Sequence, residues 1–88
     1  MTALTTDFPT VRAAVLDVAR RELALPDDEL ARLTDTSELA SHLDSVQRLT
    51  LVVGIEDHFQ ICMDPEDDAQ AVTLADVVHI VMRHLAAP

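Results

Sequence analysis

Apolar residues recur at mixed three- and four-residue spacing through three stretches of the chain, each bounded by residues that start or stop helices. From Phe8 to Leu25, Val11, Val15, Leu16, Val18, Ala19 and Leu23 alternate with Arg12, Asp17, Arg20, Arg21 and Glu22, which predicts an amphipathic helix. Pro9 suits its first turn, where a missing amide hydrogen is harmless, and Pro26 stops it. Asp27 and Asp28 then begin a long acidic connection that runs to about Asp44. Leu30, Leu33 and Leu39 are expected to pin this connection to the core through a short helical turn, because an unanchored loop of that length is unusual.

A second helix is predicted from Ser45 to Phe59 on Val46, Leu49, Val52, Val53, Ile55 and Phe59. The run from Leu49 to Val53 also suits a buried strand, but Gln47, Arg48, Glu56 and Asp57 leave a polar side that favours helix. Gly54, the chain's one glycine, costs about 1 kcal/mol against alanine inside a helix, so a close helix crossing is expected there. Asp64 to Gln70 holds Pro65 and four carboxylates and predicts a short acidic helix or turn. Leu74, Val77, Val78, Val81, Met82 and Leu85 then form a last helical stripe from Thr73 to Leu85, opened by a capping box of Thr73 with Asp76. No period-two segment supports a sheet. The expected fold is all-α: a four-helix bundle of three longer helices and one short helix with a long first loop, in one domain over residues 1–88.

Composition narrows the function. Apolar residues make up 49% of the chain and aromatics 2%, so the core is aliphatic. Sixteen acids against six arginines give a net charge of -10, which opposes nucleic acid and anionic lipid and favours basic patches on partner proteins. The longest apolar runs are far too short for a membrane span. One cysteine, Cys62, excludes an internal disulfide framework, and the first residues show no basic leader with an apolar run, which points to a cytoplasmic protein.

Chemistry concentrates where the long loop meets the second helix, at Leu43, Asp44, Ser45 and Val46. A serine opening a helix stands among unsatisfied backbone amides at the positive end of the dipole, where an attached anion is favoured. An isolated Asp-Ser pair would be an ordinary helix cap. Together with the apolar pattern after Ser45, the Glu56 to Phe59 ending and the acidic stretch before the last helix, it resembles the acyl carrier protein family, from about Phe8 to Leu85. The resemblance implies a covalent 4′-phosphopantetheine arm, taken from coenzyme A onto Ser45, whose thiol holds acyl groups as thioesters. It implies no catalysis by the chain itself. Asp44 would serve recognition by the transferase, which supplies magnesium and the base, and Val46, Gln47, Arg48, Val53, Glu56 and Asp57 would form the docking face. The implied partners are a phosphopantetheinyl transferase, an acyl-activating ligase or acyltransferase, and a ketosynthase or condensing enzyme, met in turn by a monomeric shuttle.

The chain departs from the family pattern in two places. The glycine usual two residues before the aspartate is His42 here, followed by Leu43. The acids usual soon after the serine are replaced by Gln47, Arg48 and Thr50, so negative charge on the second helix starts at Glu56. This argues against primary fatty acid synthesis and for a specialised carrier in polyketide, lipopeptide or related acyl assembly. A peptidyl or aminoacyl carrier is the alternative within the class, and an unmodified acidic interaction module the alternative outside it.

Other constellations carry less. His58 and Cys62, with His42, His79 and His84, lack zinc spacing, and Cys62 reads as a small core or loop residue. Asp64, Glu66, Asp67 and Asp68 lack the glycine and distal glutamate of a calcium loop. Ser45 with Asp44 and His42 lacks the pocket a hydrolase needs. The stripe of Val46, Leu49 and Val53 with Leu74, Val78 and Val81 reads as ordinary core that could part to admit an acyl chain.

Overall fold

The computed structural model describes residues 7–86; residues 1–6 and 87–88, the ends of the expected single domain and the stretch read for a leader, lie outside the described residues. Five α-helices form, α1 (Phe8–Leu23), α2 (Asp27–Ala31), α3 (Ser45–Phe59), α4 (Pro65–Gln70) and α5 (Leu74–Ala86), with a 3-10 turn at Leu39–Ser41. Three are long, α4 is the short acidic helix of the expected bundle, and the expected anchoring turn takes the form of α2 together with the 3-10 turn.

Four of the five α-helices begin on a side-chain cap that the sequence supplies; α2, which follows Pro26, has none. The Asp7 carboxylate accepts from the Thr10 amide at the start of α1, and Asp64 with Asp67 boxes the start of α4. For α5, Thr73 Oγ1 accepts from the Asp76 amide at 3.1 Å and Asp76 Oδ2 from the Thr73 amide at 3.0 Å, the expected box. That hydrogen bonding, led by the Thr73 amide, holds the Asp76 carboxyl below its usual value. α1 ends at Leu23, two residues before the expected Leu25. Ala24 turns left-handed at φ 52°, and Leu25, preceding Pro26, is pushed out of helical geometry.

α1 is the central packing element, lying against both α3 and α5. Val11, Val15, Val18 and Ala19 of α1 meet Leu51 and Ile55 of α3 and Leu74, Val77, Val78, Ile80 and Val81 of α5 in one aliphatic core. The loop from α2 to α3 delivers Leu33, Leu39 and Leu43 into the same core, with Leu30 half-buried. Backbone pairing fixes the loop's course: Leu39 donates to Val72, Leu74 to Ser37 and Ala75 to Asp35, and Arg12 of α1 pairs with the Asp35 carboxylate.

Gly54 sits where α3 crosses α1, as its place in an apolar helix suggested. A Cβ at this position would lie 2.9 Å from Val18 Cγ1 and 2.9 Å from Glu22 Cγ. Glu22 is exposed and can swing away, whereas Val18 is fully buried and stiff at χ1.

A buried carboxylate ties α4 to α5. Asp67, 7% exposed, accepts from His84 Nε2 at 2.7 Å and from Arg83 at 3.2 Å. The His84 hydrogen bond, helped by the Asp64 amide and the charges of His84 and Arg83, holds the Asp67 carboxyl below its usual 3.8 even though burial opposes this.

Two stability measurements test this packing. Gly54→Ala gains about 1 kcal/mol of helix propensity but overpacks the crossing by about 1–3 kcal/mol, so a net loss near 1 kcal/mol and a Tm lowered by about 4–8 °C are expected by calorimetry. An unchanged or raised Tm would show that Val18 yields. Because the folded-state value of Asp67 is depressed, its contribution is fully present above pH 3.8 and fades as the pH falls through the lower folded-state value. Asp67→Asn is therefore expected to lose about 1–3 kcal/mol at pH 7 in urea unfolding, with the gap to wild type narrowing only below about pH 4. A gap that stays constant down to pH 2 would refute the role given to ionised Asp67.

Candidate functional site

The junction of loop and helix places Asp44 and Ser45 in different roles. Asp44 is the N-cap of α3: its Oδ1 accepts from the Gln47 amide at 2.7 Å while Gln47 Oε1 accepts from the Asp44 amide at 3.0 Å, a closed capping box. Ser45 is the first helical residue of a 15-residue helix, exposed, and among the described residues its hydroxyl makes no hydrogen bond. Leu43, buried at 5%, anchors the approach from below. The hydroxyl is thus held at the positive end of α3, where an anion gains about 0.3–1 kcal/mol, and it has no structural duty there.

Beside Ser45 runs an open groove of about 620 Å³ between α3 and the α4 region. Leu49, Val52 and Met63 supply apolar wall, and Arg48, Glu56, Asp64 and Asp68 supply charge. A flexible arm attached at Ser45 has a free oxygen to hold it, no backbone in its way, and a trough alongside. The residues present fit a phosphopantetheine group.

The outer face of α3 corrects the reading of Val46, Leu49 and Val53 as core. They are 71%, 64% and 54% exposed and, one turn apart on α3, form an apolar surface strip. The buried side of α3 is instead carried by Leu51 and Ile55, with Arg48, Val52 and Phe59 half-buried. The helix is apolar on several sides, so its period alone could not choose the inward face. Leu51, absent from the expected stripe, becomes legible only once Gly54 is set against α1, because Leu51 and Ile55 flank that contact. Leu74, Val78 and Val81 of the same expected stripe are core.

The expected docking residues separate in the same way. Val46, Val53 and Asp57 are exposed. Gln47 is occupied in the capping box, and Glu56 Oε2 accepts from the Met63 amide at 2.9 Å, fastening the loop after α3. Arg48 turns inward and donates to the carbonyl oxygens of Asp68 and Ala71, at 2.9 and 2.8 Å. It is an internal tie rather than an open docking charge. Its place three residues before Leu51 and seven before Ile55, on the buried side, is the signal that could have shown this.

The remaining candidates are scattered. Cys62 is exposed in the loop after α3, His58 lies 3.3 Å from Arg21 Nη2, His79 stacks at an angle on Phe8, and His42 is exposed after the 3-10 turn. Among the described residues, no group of three or more His, Cys, Asp or Glu side chains is placed to hold a metal, and no helix is long and apolar enough to cross a membrane.

A family model described as "Phosphopantetheine attachment site" matches residues 13–81. The chloroplastic acyl carrier proteins 1 and 4 of Cuphea lanceolata are each 31% identical to the chain over 74 residues, or 83% of it. Those residues cover 51% and 52% of the two relatives, so the chain spans about half the length of the curated relatives it matches. No solved structure matches it. Because the family match runs from within α1 into α5, it takes in every element that builds the Ser45 corner; the chain belongs to the acyl carrier protein family, non-catalytic carriers whose prosthetic group is a covalently attached 4′-phosphopantetheine.

Proposed function

We propose that Ser45 Oγ is the attachment point of the phosphopantetheine arm. The observation that carries this reading is an exposed hydroxyl without a hydrogen bond at the first position of α3, while the neighbouring Asp44 does the capping. A transferase brings coenzyme A and magnesium, and the Ser45 oxygen forms the new bond to phosphorus as the nucleotide half of coenzyme A leaves and the hydroxyl proton passes to the transferase's base. The arm, once attached, supplies a thiol for thioester chemistry. What the chain contributes is position: α3 holds the oxygen outward, and its dipole favours the phosphodiester.

The chain then serves as a single-domain, monomeric, cytoplasmic carrier in specialised acyl assembly such as polyketide or lipopeptide synthesis. It is loaded by an acyl-activating ligase or acyltransferase and unloaded by a ketosynthase or other condensing enzyme. The surface of α3 supports a specialised partner set. Its open strip is Val46, Leu49 and Val53, with acid exposed only at Asp57, so docking here depends more on apolar contact than on charge pairing.

Incubation with coenzyme A, magnesium and a promiscuous phosphopantetheinyl transferase is expected to add one phosphopantetheine to wild type and none to folded Ser45→Ala, read by intact mass. Addition to the alanine variant would move the site elsewhere. Asn caps as well as Asp, so Asp44→Asn is expected to keep the wild-type Tm. If the Asp44 carboxylate is what the transferase reads, loading of this variant slows by about tenfold or more. Equal loading rates would leave Asp44 as a cap alone.

A further inference from the structure

One side chain bridges the two walls of the groove beside Ser45. Arg48 stands one turn after Ser45 on α3, and its Nη2 reaches the carbonyl oxygens of both Asp68 and Ala71, with the Asp68 carboxylate 3.8 Å away. α4 is six residues long and cannot hold its shape alone. Asp67 ties it to α5; Arg48 is its only side-chain hydrogen-bonded tie to α3 among the described residues. Ala71, at one end of the tie, and Leu74 just past it are 1% and 2% exposed. Arg48 and Asp68 both line the groove with Leu49, Val52 and Met63, so letting go of the two carbonyls loosens its α4 wall next to the buried Ala71.

We propose that Arg48 is a positioning residue, a latch that holds the end of α4 against α3 and keeps the groove too shallow to bury an acyl chain. Cargo on the arm then stays in solvent, open to partner enzymes whatever its length. Two carbonyls and one carboxylate all lie within reach of the guanidinium, so the latch survives small movements of α4. The cargo part of this proposal rests on Ser45 as the attachment point, whereas the latch itself does not.

Hydrogen exchange on the unmodified protein reads the latch directly. Arg48→Gln is too short to span both carbonyls, and amides 66–72 are expected to exchange about tenfold faster while α1 and α5 keep the wild-type rates. Asp68→Asn leaves the carbonyl bonds in place and is expected to match wild type. Acetyl- and octanoyl-phosphopantetheine are then loaded from the corresponding acyl-coenzyme A, and thioester cleavage by hydroxylamine is timed. Wild type is expected to release both at one rate, and Arg48→Gln to release octanoyl about threefold more slowly than acetyl. Unchanged exchange in Arg48→Gln, faster exchange spread over every helix, or equal acetyl and octanoyl rates in that variant would each overturn the latch. Failure of wild type to load at Ser45 would instead sink the attachment reading, with the exchange comparison still deciding the latch.

Discussion

The close crossing of α1 and α3 at Gly54 governs the rest of the molecule. With no side chain at Gly54, Val18 and Glu22 approach within a distance that even one methyl would violate. That approach sets the rotation of α3, which turns Leu51 and Ile55 into the core and leaves Val46, Leu49 and Val53 outside. The same rotation leaves Ser45 in solvent and sends Arg48 toward α4. A helix with apolar residues on several sides would otherwise have more than one way to sit against α1.

Charge is used in two ways. Five of the six arginines pair with carboxylates inside the chain: Arg12 with Asp35, Arg20 and Arg21 with Asp17, Arg48 with Asp68 and Arg83 with Asp67. The hydrogen bond from Arg20 leads in holding the Asp17 carboxyl below its usual value. Most of these pairs are exposed and add little each. Their larger effect is to bind up positive charge, so that, Arg32 apart, what remains facing outward is mostly acid. Asp67 is the exception, because it is buried and its loss would take from the half-buried His84 its hydrogen-bond partner, while the exposed Arg83 keeps Gln70.

Much of this was legible in the chain before folding. The bounds of α3, the short acidic α4, the Thr73–Asp76 cap and the close approach at Gly54 follow from local rules that tertiary packing did not override. The Asp44–Ser45 corner was legible through its surroundings, since the pair alone reads as a cap. The inward face of α3 was not legible, because hydrophobicity shared among several faces does not say which one meets α1. Nor were the roles of Arg48, Glu56 and Asp67. Each bonds a residue distant in the chain, or across a loop whose path local pattern does not determine.

The division of work between Asp44 and Ser45 has a thermodynamic consequence. A group added to a side chain shifts the folding equilibrium only through contacts that the native state gains or loses relative to the unfolded chain. The helix start depends on the carboxylate and on Gln47, so a substituent on the serine oxygen leaves those bonds untouched. A phosphodiester on that oxygen would therefore touch folding only through the dipole at the start of α3, a gain of about 0.3–1 kcal/mol, so neither a bare nor a decorated form would be marked for unfolding.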